Sequence, residues 1–178
     1  MGTRLEELSC LSITKKWAAL ALLLVGCTSA WADTITGKVI AVTDGDTIRV
    51  LDAQHIQYKV RLAGIDAPES KQAYGARSKK NLSNLVFGKT VTIEFTKHDR
   101  YGRIVGKVLY KNLDMDLQQI EVGIAWHYKQ YAKEQSMEDR LRYADAERHA
   151  RAAHLGLWID VDPVPPWEWR RRSKSRLH

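Results

Sequence analysis

Apolar and polar side chains alternate along five short segments after residue 33, the pattern of β-strands that bury one face. In residues 56–62 the apolar side chains, from Ile56 to Leu62, share the face toward the expected core, whereas Arg61 lies on the opposite face. The predicted strands are residues 34–42, 47–51, 56–62, 91–95 and 104–110.

Three other segments have helical spacing. Residues 74–87 carry an apolar stripe, and Gly88 is suited to end that helix. A short helix is predicted over residues 116–122, and a capping box opens a long helix over residues 136–154. This element order predicts an α+β, mainly β fold: an OB-type, five-stranded barrel with about three helices. An α+β sandwich with a similar order of elements is the alternative.

The first 32 residues have the features of a targeting segment. Lys15 and Lys16 precede an apolar stretch, and Ala30 and Ala32 are small residues of the kind that a signal peptidase accepts. We therefore expect a signal peptide over residues 1–32 and an exported, periplasmic or secreted protein.

The same segment allows a second interpretation. Residues 24–27 resemble a bacterial lipobox, in which Cys27 would be lipidated and would anchor the protein to a membrane. Because the two cysteines of the chain are Cys10 and Cys27, cleavage after Ala32 would leave no cysteine for a disulfide or a metal site.

Composition indicates one folded domain and a polyanionic partner. Hydrophobic residues make up 44% of the 178 residues and charged residues 28%, which excludes a disordered chain. The net charge of +7 favours nucleic acid, although many basic proteins bind none. We expect a nuclease-like domain over residues 33–158 and a basic tail over residues 159–178. Prolines 163, 165 and 166 argue against regular structure there, and the tail is expected outside the barrel.

Three polar clusters are the candidates for chemistry: residues 44–46, 61–69 and 99–103. Each alone is an ordinary turn or strand end. Together, they could place the carboxylates of Asp46 and Asp66 at one rim of the barrel. Hard oxygen ligands suit Ca²⁺ or Mg²⁺ better than zinc. The forked donors of Arg61 and Arg103 match a phosphodiester and its more highly charged transition state.

The turn after the third strand carries further candidates. Pro68 forces Ala67 into an extended conformation, which would fix the directions of the Ala67 carbonyl and the Glu69 carboxylate. A hard divalent cation, a carboxylate base and two guanidiniums are the parts that phosphodiester hydrolysis requires.

These clusters resemble the signature segments of the staphylococcal nuclease family, in the family's order and at compatible spacing. The matching segments are Val42-Thr-Asp-Gly-Asp-Thr47, Arg61-Leu-Ala-Gly-Ile-Asp-Ala-Pro-Glu69 and Asp99-Arg-Tyr-Gly-Arg103, with later likenesses at residues 123–126 and 156–158. The resemblance implies an OB-type barrel with three helices. It also implies Ca²⁺-dependent hydrolysis of DNA and RNA that breaks the bond to the 5′ oxygen and leaves 3′-phosphate ends.

The resemblance also implies roles for individual residues. Asp46 and Asp66 would bind Ca²⁺ through their side chains and Ala67 through its carbonyl. Glu69 would act as the general base or orient the attacking water. Arg61 and Arg103 would hold the phosphate and stabilise the developing charge. Ala67 stands where the family's type member has threonine, but a backbone carbonyl does not need that hydroxyl.

Two other classes of function fit parts of this sequence. A non-catalytic binding module with this fold would have lost residues of the site, whereas all the acidic and arginine positions are present here. A basic structural protein of the envelope would explain the leader and the tail but not the three clusters. We expect a monomeric enzyme that acts on DNA and RNA. Trp126, Tyr128 and Tyr131 could stack bases, but they are not assigned to the site.

Overall fold

The computed structural model describes residues 33–175. The predicted signal peptide, with its cleavage site and Cys27, lies outside the described residues. In residues 33–175 no helix is long and apolar enough to cross a membrane. The strands of the described part are β1 (Asp33–Val42), β2 (Thr47–Asp52), β3 (Gln57–Leu62), β4 (Ile65–Asp66), β5 (Thr90–His98), β6 (Ile104–Tyr110), β7 (Leu113–Asp114) and β8 (Trp126–His127). The α-helices are α1 (Gly75–Val86), α2 (Met115–Glu121), α3 (Met137–Ala152) and α4 (Pro166–Ser175).

Five long strands form a closed barrel. They lie in the order β3-β2-β1-β5-β6, and a parallel pairing between β3 and β6 joins the two ends. Alternate side chains of these strands point inward and are fully buried, as at Val50, Val60 and Ile93. This is the predicted mainly-β, OB-type architecture, with a fourth helix beyond the three expected.

The third strand begins one residue later than the alternation predicts. Ile56 was expected on the core face, but its side chain is 51% exposed. The amide of Ile56 donates to the Asp52 carboxylate at 2.8 Å, which closes the turn before the strand pairing begins. Turn chemistry therefore overrides the alternation at this position.

The helices begin and end where local signals predict. Ser136 Oγ accepts a hydrogen bond from the Asp139 amide at 3.0 Å and caps α3. Asp114 caps α2 by accepting from the Asp116 and Leu117 amides. Gly88 follows α1 with a φ of 75°, a conformation that favours glycine.

A smaller apolar cluster lies beside the barrel core. It consists of Trp126, Ala150, Leu157 and Trp158, with Tyr74 and Trp167 packed against its edge. Trp167 belongs to the segment that was expected to be an irregular extension, so that expectation was wrong beyond Pro165. Helix α4 begins at Pro166, where a missing amide hydrogen costs nothing because first-turn amides have no partner in the helix.

Candidate active site

The first acidic turn is fixed by its own side chains. Asp44 Oδ1 accepts from the Asp46 amide at 3.1 Å, and Asp46 Oδ1 accepts from the Thr47 hydroxyl at 3.0 Å. Asp46 Oδ2 accepts from the Ala67 amide at 3.0 Å, which ties this turn to the second acidic turn. Asp46 is 7% exposed, so its carboxylate is held in one position.

Side chains of two helices hold the first acidic turn on its buried side. The amide of buried Gln119, in α2, donates to the Gly45 carbonyl at 2.7 Å and to the Ser78 carbonyl at 3.2 Å. Asn81 in α1 donates to Gln119 Oε1 at 2.7 Å. A Cβ at Gly45 would lie 2.0 Å from Ser78 Oγ, so only glycine allows this approach. Sequence reasoning missed Gln119, because nothing local connects it with a turn 74 positions away.

Arg61 joins the two acidic turns. Its Nη1 donates to the Leu62 and Ile65 carbonyls and lies 3.3 Å from Asp46 Oδ2. Its Nη2 donates to Asp66 Oδ1 at 2.9 Å. These hydrogen bonds use three of the five guanidinium N–H groups. Arg61 therefore lies on the face opposite the core, as predicted, but it is largely buried among carboxylates.

The charges of this cluster influence one another strongly. Burial alone would raise the pKa of Asp46, but the Arg61 charge and the Ala67 amide lower it overall. Burial and the Asp46 charge raise the pKa of Asp44 to about 6. Burial also raises the pKa of Asp66, against the opposing effect of the arginines around it. The site thus concentrates negative charge away from water, and a cation would relieve it.

Glu69 lies on the turn that follows Asp66. Its amide donates to Gln72 Oε1 at 3.1 Å, and a Cβ at Gly75 would lie 2.0 Å from the Glu69 carbonyl oxygen. The N-terminus of α1 therefore packs closely against the Glu69 backbone. The Glu69 side chain is 39% exposed, so it is accessible to solvent.

Arg170 of α4 contacts the carboxylates of Asp66 and Glu69. Nothing in the sequence indicated this contact. Its Nη1 lies 3.2 Å from Asp66 Oδ1 and 2.7 Å from Glu69 Oε1, and its Nη2 lies 2.8 Å from Asp66 Oδ2. Although burial opposes it, the hydrogen bond to Asp66 raises the pKa of Arg170, so the guanidinium is charged. Trp167, one turn earlier, stacks on Tyr128 with ring centroids 5.6 Å apart.

Arg103 lies in the turn before a neighbouring strand and is held separately. It precedes β6 by one residue, two positions before Val105, which is the parallel partner of Arg61. Arg103 Nε donates to Asp99 Oδ2 at 2.7 Å. In the part of the chain that the structure describes, Arg103 has no hydrogen bond with the acidic cluster. The structure therefore brings together Asp46, Arg61, Asp66, Ala67 and Glu69, and leaves Arg103 beside them on Asp99.

A divalent cation fits the donors by charge and chemistry. Asp46 and Asp66 are buried hard oxygen donors, and the Arg170 guanidinium already lies on Asp66 and Glu69 as a cation. Among residues 33–175, no three His, Cys, Asp or Glu side chains converge as a ready-made metal cage. A cation held by the two buried aspartates would therefore need further oxygen ligands from the backbone or from water.

Comparison with known proteins identifies the family. The family model described as Staphylococcal nuclease homologue matches residues 59–160, which include Arg61, Asp66, Glu69 and Arg103. A chain of Escherichia coli named "Uncharacterized endonuclease" is 42% identical over 161 residues, which cover 89% of this chain and 99% of the relative.

Two further relatives agree with this result. A Shigella flexneri chain named "Micrococcal nuclease" is 40% identical over 167 residues, covering 88% of this chain and 92% of that one. A Haemophilus influenzae chain named "Uncharacterized endonuclease" is 40% identical over 142 residues, covering 80% of this chain and 76% of the relative. The chain therefore belongs to the staphylococcal nuclease family and is a hydrolytic endonuclease that acts on nucleic acid.

Proposed function

We propose that this nuclease hydrolyses DNA and RNA with little sequence specificity, requires Ca²⁺, and leaves 3′-phosphate ends. The observation that supports this most is the position of Arg61. It contacts both Asp46 and Asp66 beside the Glu69 turn. The donor set suits a hard divalent cation, and the choice of Ca²⁺ rests on family membership.

The cation would be held by Asp46 and Asp66 through their side chains and by Ala67 through its carbonyl. When bound, it supplies positive charge that polarises the phosphodiester and neutralises the charge developing on its oxygens. Arg61 contacts both carboxylates and fixes their separation in the folded chain.

Glu69 is the proposed general base. Its half-exposed carboxylate accepts a proton from a water molecule, whose oxygen attacks phosphorus. The bond from phosphorus to the 5′ oxygen breaks, the 5′ oxygen takes up a proton from solvent and leaves as a hydroxyl, and the phosphate stays on the 3′ oxygen. Arg61, through its remaining N–H groups, and Arg103 donate to the phosphate oxygens as their charge increases.

The proposal also covers processing and location. We propose cleavage after Ala32, export, and a monomeric mature enzyme without cysteine. The mass of the mature N-terminus tests this directly. An N-terminal Asp33 supports it, whereas a lipid-modified Cys27 contradicts it and indicates a membrane anchor.

The activity is tested with residues 33–178, denatured DNA and RNA, and either Ca²⁺ or excess chelator. Glu69→Gln should reduce hydrolysis by roughly 10²-fold or more. The matched control is Glu138→Gln, a change at an exposed glutamate of α3, and it should retain full activity. End-group analysis should find 3′-phosphates. Products with 5′-phosphates, or equal rates for the two glutamine variants, would contradict the assigned chemistry.

A further inference from the structure

The C-terminal segment crosses the candidate active site and is fixed at several points. We call residues 160–175 the strap. At its start, the Tyr74 hydroxyl donates to Asp160 Oδ1 at 2.9 Å. Farther along, Gln72 Nε2 donates to the Val164 carbonyl at 2.6 Å. Gln72 also accepts from the Glu69 amide, so the strap is bound to the turn that carries the candidate base.

Helix α4 forms the second half of the strap and is fixed by aromatic packing. The Trp167 ring stacks on Tyr128 at an interplanar angle of 14° and meets the edge of Trp126 at 6.4 Å. One helical turn later, Arg170 reaches the carboxylates. The hydrogen bonds and the stacking are separate from the Arg170 contacts, so the strap has its own attachment to the domain.

We propose that the strap closes the active site and that Arg170 and the divalent cation compete for Asp66. This inference rests on the proposed function, because it takes the cation site at Asp46 and Asp66 as given. The strap is then an autoinhibitory element of the chain itself, which the cation must displace from the carboxylates before hydrolysis.

The competition follows from the geometry at Asp66. Arg170 contacts both oxygens of this carboxylate, and Arg61 takes a further position on Oδ1. With the guanidinium in place, Asp66 is 0% exposed. A Ca²⁺ ligand oxygen lies roughly 2.3–2.6 Å from the ion, so ion and guanidinium would be adjacent cations on one carboxylate. Both cannot occupy the accessible side of Asp66 at once.

Arg170 also blocks the candidate base. Its Nη1 is 2.7 Å from Glu69 Oε1, where a water molecule would have to give up its proton. The closed strap therefore opposes cation binding and proton transfer together. Because the Arg170 side chain is 40% exposed, its ion pairs are screened by solvent and can exchange with a competing cation.

The consequence is a reciprocal coupling between strap and cation. If closure excludes the cation, then the apparent dissociation constant for Ca²⁺ is raised in inverse proportion to the population of the open state. By the same linkage, Ca²⁺ must loosen α4. Removing the Arg170 charge should therefore tighten Ca²⁺ binding even though it removes a contact from the site.

The test uses residues 33–178, which contain the whole described barrel and both apolar clusters. Arg170→Gln removes the charge and keeps a hydrogen-bonding side chain. Arg171→Gln is the matched control, since it makes the same charge change at the next, exposed position of α4. Calorimetric titration with CaCl₂, without nucleic acid, measures affinity. Hydrogen exchange of residues 166–175 measures strap closure.

We expect Arg170→Gln to bind Ca²⁺ about fivefold or more tightly than wild type, the lower end of typical coupling between sites. Arg171→Gln should match wild type, and Ca²⁺ should speed exchange in α4 of the wild type. Trp167→Ala, which removes the stacking on Tyr128, should also tighten binding. Equal affinity of wild type and Arg170→Gln, or weaker binding by the variant, overturns the inference.

Failure of the strap inference and failure of the proposed function would give different results. If hydrolysis by the wild type needs Ca²⁺ but Arg170→Gln does not change Ca²⁺ affinity, then the strap inference fails and the proposed function stands. If no variant binds Ca²⁺ and hydrolysis proceeds in chelator, both are overturned.

Discussion

Arg61 lies between two buried aspartates, so its replacement affects the stability of the fold as well as activity. Its side chain is 14% exposed and is hydrogen-bonded to two carbonyls and to Asp66. Burial alone would lower the pKa of Arg61, but Asp46 and Asp66 raise it, so the guanidinium stays charged. Removing it would leave the buried carboxylate of Asp46 without its ion-pair partner, so loss of activity alone would not reveal the role of Arg61.

We therefore predict that Arg61→Ala loses both stability and activity. Breaking a buried pair costs about 3–5 kcal/mol in the free energy of unfolding. Urea denaturation measures this cost, and Arg49→Ala, at an exposed position of β2, is the control that should change little. If Arg61→Ala unfolds at the same urea concentration as wild type, then the buried pairing is wrong.

Arg103 is predicted to act through its charge near the phosphate. Arg103→Ala should reduce hydrolysis by roughly 10²-fold, as the loss of a donor to developing charge typically does. Arg100→Ala, in the same turn but exposed, should leave the rate near wild type. Steady-state rates on denatured DNA separate the two variants, and equal rates would remove Arg103 from the catalytic assignment.

His127, which lies outside the acidic cluster, makes the stability of the fold depend on pH. Burial lowers its pKa below the ordinary value of 6.5, despite the hydrogen bond that its Nε2 donates to Gln135 Oε1 and the nearby charge of Glu147. The folded state then binds fewer protons than the unfolded chain, so stability is full above about pH 6.5 and falls as the pH drops below it.

We predict that the free energy of unfolding of His127→Gln falls less between pH 7 and pH 5 than that of the wild type. The measurement is the free energy of unfolding by urea across that range. His149→Gln, at an exposed position of α3, should keep the wild-type pH profile. A steeper decline in His127→Gln than in wild type would contradict the assignment.

At the scale of elements, α1 sets the position of the candidate base. We predict that Gly75→Ala reduces hydrolysis without changing any reactive group, because the new Cβ would meet the Glu69 carbonyl at 2.0 Å and displace that turn. A shift of about 1 Å can cost roughly 10²-fold in rate. Gly88→Ala, at the other end of α1, faces open space at a φ of 75° and should cost about 1–2 kcal/mol of stability but little activity. Similar activities of the two variants would show that α1 does not position Glu69.

The elements themselves were largely predictable because their signals are local. Alternation gave the bounds of β6, and Ser136 marked the start of α3. The strap was not predictable in the same way. Three prolines argued against structure, whereas the helix begins at the last of them and is stabilised by Trp167 packing on Tyr128, which lies far away in sequence.

At the scale of the whole molecule, barrel closure brings together residues whose proximity the sequence only implied. Asp46 and Asp66 could be expected at one rim, since both follow from strand order. Gln119 and Arg170 could not, because they reach the acidic turns across 74 and 104 positions. Their contacts depend on how α2 and α4 pack on the barrel, and no local pattern specifies that packing.

The proposed hydrolysis depends on a divalent cation held by Asp46 and Asp66. The most direct test is a Ca²⁺ titration of DNA cleavage by residues 33–178 of wild type, Asp66→Asn and the control Asp52→Asn, which lies at the end of β2. We predict that wild type and Asp52→Asn share one Ca²⁺ dependence, and that both stop when the ion is chelated. Asp66→Asn should need far more Ca²⁺ or show no cleavage. Undiminished cleavage in excess chelator, or a wild-type Ca²⁺ dependence in Asp66→Asn, would show that hydrolysis does not depend on a cation at Asp66.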